Sequence, residues 1–126
     1  MSKFSITTDI RKILINNEEL KSLIGNKIYP LFAPDNTQGD FIIYYRDEYS
    51  KEYATRGIIT NESCKIWIAI VSDNYDKSIQ IAEKVNDLVD GIHTDSNNNQ
   101  YQCRLKDSTE DSADKKYIQI LVFEIS

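Results

Sequence analysis

The sequence predicts an α+β domain: a mostly antiparallel sheet of four to five strands, with two main helices packed on one face, in the order α-β-β-β-α-β-β. Three observations carry that expectation. The stretches Phe41 to Tyr49, Cys64 to Val71 and Tyr117 to Ile125 are apolar runs of strand length. Between the second and third of them, Tyr75, Ile79, Ala82, Val85, Val89 and Ile92 recur at helical spacing, widened by Ile81 and Leu88. Neither an internal repeat nor a composition break divides the chain, so residues 1–126 are one domain, of a length that buries a sizeable core.

In order along the chain, Thr7 or Thr8 can cap a first helix that carries Ile10, Ile13 and Leu14. Asn17 can cap a second, shorter helix, where Glu18 and Glu19 suit the positive end of the helix dipole. Leu20, Leu23 and Ile24 continue the apolar stripe, and Gly25-Asn26 supplies a left-handed stop. Lys27 to Leu31 is short and extended. Pro30 and Pro34 cannot donate to a ladder, which makes the piece an edge strand or a turn before a strand.

Asp35 to Asp40 is a polar loop. In the strand after it, Phe41, Ile43 and Tyr45 share one face and Ile42 and Tyr44 the other, so both faces want cover. Ser50 to Glu62 reads as a long charged connection around Gly57, in which Ile58-Ile59 sit oddly for a solvated loop. Cys64, Ile66, Ile68 and Ile70 alternate with Lys65, Trp67, Ala69 and Val71. Asp73 is placed to cap the long helix, and Gly91 to close it. Asp95 to Gln100 is a turn, Tyr101 to Lys106 a half-exposed strand, and Asp107 to Asp114 a solvated acidic loop before the last strand.

The residue chemistry offers no catalytic centre. His93 is the only histidine, and it follows a helix end, where the dipole favours a cation. Cys64 and Cys103, the only cysteines, read as reduced and partly buried thiols, and with one histidine they cannot complete an ordinary four-ligand zinc site. The run DSTEDSAD lacks the glycine and terminal glutamate of an EF-hand loop. We therefore expect no enzyme activity, cofactor or metal.

A net charge of −5 without a Lys/Arg cluster argues against a nucleic-acid clamp. Tyr44, Tyr45, Tyr49 and Tyr53 crowd one strand and its exit. Arg46, Lys51 and Arg56 nearby are offset by Asp47, Glu48 and Glu52, so packing against protein is favoured over stacking on bases. No apolar run approaches the roughly 18 residues that a membrane helix needs. The N-terminal MSKFSITTDIRK carries no apolar signal core, which points to assembly in the cytoplasm.

The stretch from Leu20 to Arg46 carries a resemblance. A helix ending Leu20 to Gly25, the step Lys27 to Pro30, Ala33-Pro34, and the strand Phe41 to Arg46 resemble a family of tail-completion proteins, also called tail-terminator or tail-to-head joining proteins, of siphophages and prophages. The likeness continues through the strand with Trp67, the helix Tyr75 to Ile92 and the strand Tyr117 to Ile125. The acidic Asp107 to Asp114 and the turn at Asn97 to Asn99 depart from the family pattern.

The resemblance implies a structural virion protein that caps the tail tube and joins it to the head connector. Its partners would be copies of itself in a ring, a hexamer, together with the major tail tube protein and the connector. DNA would only pass through the lumen, without sequence-specific contact. No catalytic residues are implied. Tyr49, Tyr53, Arg56, Ile58 and Ile59 are the candidate oligomer interface, with Ile58-Ile59 as an extension of the next strand being the plainer alternative. A small acidic binding or regulatory module without catalytic activity is the competing function, and an enzyme with a site assembled from distant residues is a third.

Overall fold

The computed structural model describes residues 5–53, 57, 59–95 and 97–126, with the backbone alone at 48, 50–53 and 59–62. The domain is α+β, as expected, with three helices and a mixed sheet of six strands rather than four to five. Helix α1 spans Ile6–Ile15, α2 Glu18–Ile24 and α3 Tyr75–Val89. The strands are β1 Ile28–Pro30, β2 Phe41–Tyr53, β3 Ile59–Ser72, β4 Gly91–Thr94, β5 Gln100–Ala113 and β6 Lys116–Ile125. Their order across the sheet is β1-β2-β3-β6-β5-β4, with only β1–β2 parallel.

Helix α1 starts before the expected Thr7 or Thr8 cap. Ile6, Ile10 and Leu14, four residues apart, are all buried, and burial of this longer stripe draws the start back to Ser5. Asn17 caps α2 as expected: its Oδ1 accepts from the Leu20 N–H at 2.9 Å, and Gly25 ends the helix at φ 64°. In α3 the cap is Asn74 rather than Asp73, with Oδ1 accepting from the Lys77 N–H at 2.9 Å. Asp73 instead pairs with Lys116 at 3.7 Å.

At its far end α3 stops at Val89, so the expected continuation to Ile92 with Gly91 as closing cap is corrected. The Asp90 carboxylate accepts from the Leu105 N–H at 3.0 Å and leads the chain into the sheet. Gly91 then opens β4, at φ 127°, and Ile92 is exposed.

Two expected loops are strands. Ser50 to Glu62 is largely the distal half of the β2–β3 hairpin, paired from Ser50↔Ser63 to Tyr53↔Ile59. Asp107 to Asp114 is almost entirely β5, paired with β6 from Asp107↔Val122 to Ala113↔Lys116. Asp114 and Lys115 turn that hairpin at φ 51° and 66°, the backbone sign that two-residue hairpin turns require. The acidic side chains are nonetheless solvent-exposed, as the sequence led us to expect.

The core lies on one face of the sheet. Ile10, Leu14, Leu20, Ile24, Ile81 and Val85 from the helices pack with Ile42, Tyr44, Ile66, Ile68, Leu121 and Phe123 from the strands. Cys64 and Cys103 are both buried with no disulfide between them, and each lies opposite Ile125 on either side of β6. Two strand spacings, about 9.6 Å, separate them, too far for a disulfide. Burial pushes the Cys103 thiol up to about 12, which keeps it protonated.

Candidate functional site

The distal β2–β3 hairpin extends past its neighbours. On one side β1 reaches along β2 only to Tyr44, and on the other β6 reaches along β3 only to Cys64. Beyond them Ser50–Tyr53 pairs with Ile59–Ser63 as a two-stranded ribbon. Five residues of strand extend it roughly 17 Å. A two-stranded ribbon is marginal by itself in water, so a structure that maintains one gains from laying it against a partner.

Of the candidate interface residues, Tyr53 and Ile59 face each other where the ribbon ends. Ile59 opens β3, so the alternative of a strand extension holds for that residue. The side chains of Tyr53 and Ile59 lie outside the described part of the structure, as do Arg56 and Ile58 entirely. Tyr49 is described, and it is not on the face that simple alternation assigns. A β-bulge between Arg46 and Glu48 shifts the register, so Tyr49 stands opposite Cys64 on the helix side and packs against the core. The Arg46 guanidinium lies 5.5 Å from the centre of the Tyr49 ring.

The second feature is the sheet face away from the helices. Register places Ile43, Tyr45, Trp67, Ala69, Ile118, Ile120 and Val122 there, all half-buried and none of them in the helix-packed core. Tyr45 and Trp67 stack with centroids 5.6 Å apart and planes at 24°. Phe41 and Val71 close the upper end, with the Lys116 ammonium 5.6 Å from the Phe41 ring. The expectation that β2 is apolar on both faces is met, but helices cover only one. The second apolar face is left without cover from the helices.

The third feature was not singled out in the sequence. Leu31 and Phe32 follow β1 and are 68% and 73% exposed. The Phe32 N–H donates to the Pro30 carbonyl at 2.7 Å across Leu31, which has φ 65°. This is the strained form of the γ-turn, unusual for a branched residue and costing about 1–3 kcal/mol. In sequence, LFAP reads as an apolar strand end. The only signal of exposure is the prolines on both sides.

A groove of about 380 Å³ between α2 and α3 is lined by Glu19, Glu83, Lys84 and Asp87, with Lys84 bound to Glu19 at 2.7 Å. The Ser22 hydroxyl in it donates to the Glu19 backbone carbonyl at 2.7 Å rather than to a side-chain base. Among the described residues no three His, Cys, Asp or Glu side chains converge as a metal site would require. His93 Nε2 sits 2.7 Å from the Val89 carbonyl at the end of α3, a structural contact.

At the top of the sheet, Asp40 is buried against Lys77, which it meets at 2.7 Å. Burial opposes its ionisation. Donors from Lys77, the Ser72 hydroxyl and the Asp73 N–H outweigh that and hold its carboxyl below the usual carboxylate range. The pair ties α3 to the start of β2.

Comparison with known proteins places the fold in context. No protein-family model matches the chain, and no curated protein matches it in sequence. Among solved structures, the chain shares its fold with a protein from a structure described as "Virion of native gene transfer agent (GTA) particle". The TM-score is 0.70, over 92% of this chain and 89% of that one, at 14% sequence identity.

Proposed function

We propose that this chain is a structural protein of a phage or phage-like virion, a ring-forming component that closes the tail tube and joins it to the head connector. The observation that carries the reading is the likeness in fold to a virion-particle chain over nearly the full length of both proteins. The Leu20 to Arg46 layout, similar to that of tail-completion proteins, directs the reading to the tail end.

The geometry is of the kind a ring uses. A ring requires one surface of a subunit to meet a different surface of the next. The ribbon and the open sheet face are two such surfaces. In this reading Tyr53, Arg56, Ile58 and Ile59 belong to the contact between subunits, while Tyr49 anchors the base of the ribbon to the core. The exposed carboxylates of β5 add to the negative balance, which suits a passage through which DNA slides without adhering.

The test mixes the purified chain with a tail-tube protein from the same genome and follows tube length and end structure by electron microscopy. Rings at tube ends and a stop to polymerisation are expected. Tubes that grow unchanged, with no ring in either sample, would overturn the reading.

A further inference from the structure

We propose that the exposed Leu31–Phe32 pair of one copy seats in an apolar cleft of a second copy of this chain, between α3 and the β5–β6 hairpin. The inference rests on the ring reading and names the contact between subunits.

The cleft is lined by Ile79, Ala82, Glu83, Asn86, Leu105 and Leu121 among others, and has a volume of about 220 Å³. A cavity of roughly 150 Å³ already accepts a benzene ring, so the space suits a phenylalanine side chain. Asn86 adds a second mark of a missing partner. Its Oδ1 is buried and has no hydrogen-bond donor among the described residues. Such orphans are few in native proteins, and a turn of the Asn86 amide on docking would bring this one to an incoming backbone N–H.

Charge matches across the contact. Arg46 lines the hollow beside Leu31, while Glu83 lines the cleft. The insert is also prepared in advance. The γ-turn holds Leu31 and Phe32 outward, and Pro30 and Pro34 restrict the backbone around them, which lowers the entropy lost on docking.

The occupant must be another molecule. Leu31 follows the strand at one sheet edge, and the cleft lies over the fourth and fifth strands of the order, roughly 15–19 Å across the sheet. Because insert and cleft are different surfaces at different ends, the contact is head-to-tail. Such contacts close into rings when the rotation allows, rather than stopping at a symmetric dimer.

Sedimentation velocity tests this on single variants and their mixture. Phe32→Asp damages the insert and Leu105→Asp the cleft, both at exposed positions, and Ile79→Asp is a second cleft variant should Leu105→Asp misfold. Each variant by itself is expected to lose about 30-fold or more in self-association, the scale of an interface hot spot. Mixed together, Phe32→Asp and Leu105→Asp should form a one-to-one heterodimer and nothing larger, because one intact insert meets one intact cleft.

Folded variants that assemble like the wild type overturn the contact and leave the ring reading standing. A mixture that stays monomeric while the wild type assembles overturns it as well. Should the wild type be monomeric even at millimolar concentration, oxidation of a Phe32→Cys, Leu105→Cys double variant beside tail-tube protein decides. Intermolecular disulfides support the contact, and their absence overturns it. Ring formation on tube ends, scored in the same sample, reports separately on the ring reading.

Discussion

The two faces of the central sheet are nearly equal in apolar character but opposite in surroundings. On the helix side, Ile42, Ile66, Ile68 and Phe123 are at most 1% exposed and packed with side chains from α1, α2 and α3. Their immediate neighbours along the same strands, Ile43, Trp67, Ala69 and Val122, are half-buried and have no helix above them. The first face holds the monomer together. The second, costly to leave in water, is the surface that an assembly would use. Chemistry alone does not separate the two, because isoleucine and valine supply both.

The largest effect should come from the helix side. Phe123→Ala opens a cavity in the centre of the core and should cost about 3–5 kcal/mol in chemical denaturation. Val122→Ala, one residue along but on the other face, should cost about 1 kcal/mol or less. Equal losses would break the comparison, by showing that the open face is already covered within one chain.

Next is the tie between the layers. Asp40→Asn should destabilise by about 1–3 kcal/mol, because Lys77 and Ser72 lose a charged partner. Its carboxyl is held below the ordinary range, so its contribution is present above the unfolded value of about 3.9 and lost as the pH falls through the lower folded value. An acid-denaturation profile of the variant should therefore be flatter than that of the wild type below about pH 4. Assembly at neutral pH should be unaffected by this helix-side change once the protein is folded.

On the open face, Trp67→Ala removes the stack on Tyr45 and should cost about 1–2 kcal/mol of stability. Its larger effect should appear as lost assembly, read by light scattering. A variant that assembles normally would remove the open face from the contact surface. The smallest effect on folding belongs to the ribbon. Ile58→Asp with Ile59→Asp should change stability by less than about 0.5 kcal/mol while impairing assembly, and unfolding of this variant would make the end of the hairpin part of the core.

Legibility in the sequence followed periodicity. Strands half in the core, such as Cys64 to Val71, and the amphipathic α3 announced themselves by a period of two or of about 3.6. The outer halves of two hairpins did not. In Asp107 to Asp114 both faces meet water, so a real strand shows no alternation and reads as a loop. Across Ser50 to Glu62 the pairing is set by register with the opposite strand, which one chain segment does not display. Tyr49 was legible as an aromatic, but a bulge decided which face it joined. Leu31 and Phe32 were hidden for the converse reason: apolar residues imply burial, and only a positive-φ turn turns them outward.

What the sequence by itself determined is the class and the inventory: an α+β domain, the Asn17-capped α2 and its glycine stop, the helix α3, an acidic balance, and apolar strands wanting cover on two sides. Those properties are local, fixed by side-chain chemistry within a few residues. Only the tertiary structure decided which apolar surface stayed open, because all three helices went to one face. It also decided that the two long connections became paired strands, and that an exposed phenylalanine and an apolar cleft ended at different places on one sheet. These depend on contacts between segments distant in the chain, where burial and backbone hydrogen bonding outweigh any preference the segments carry alone.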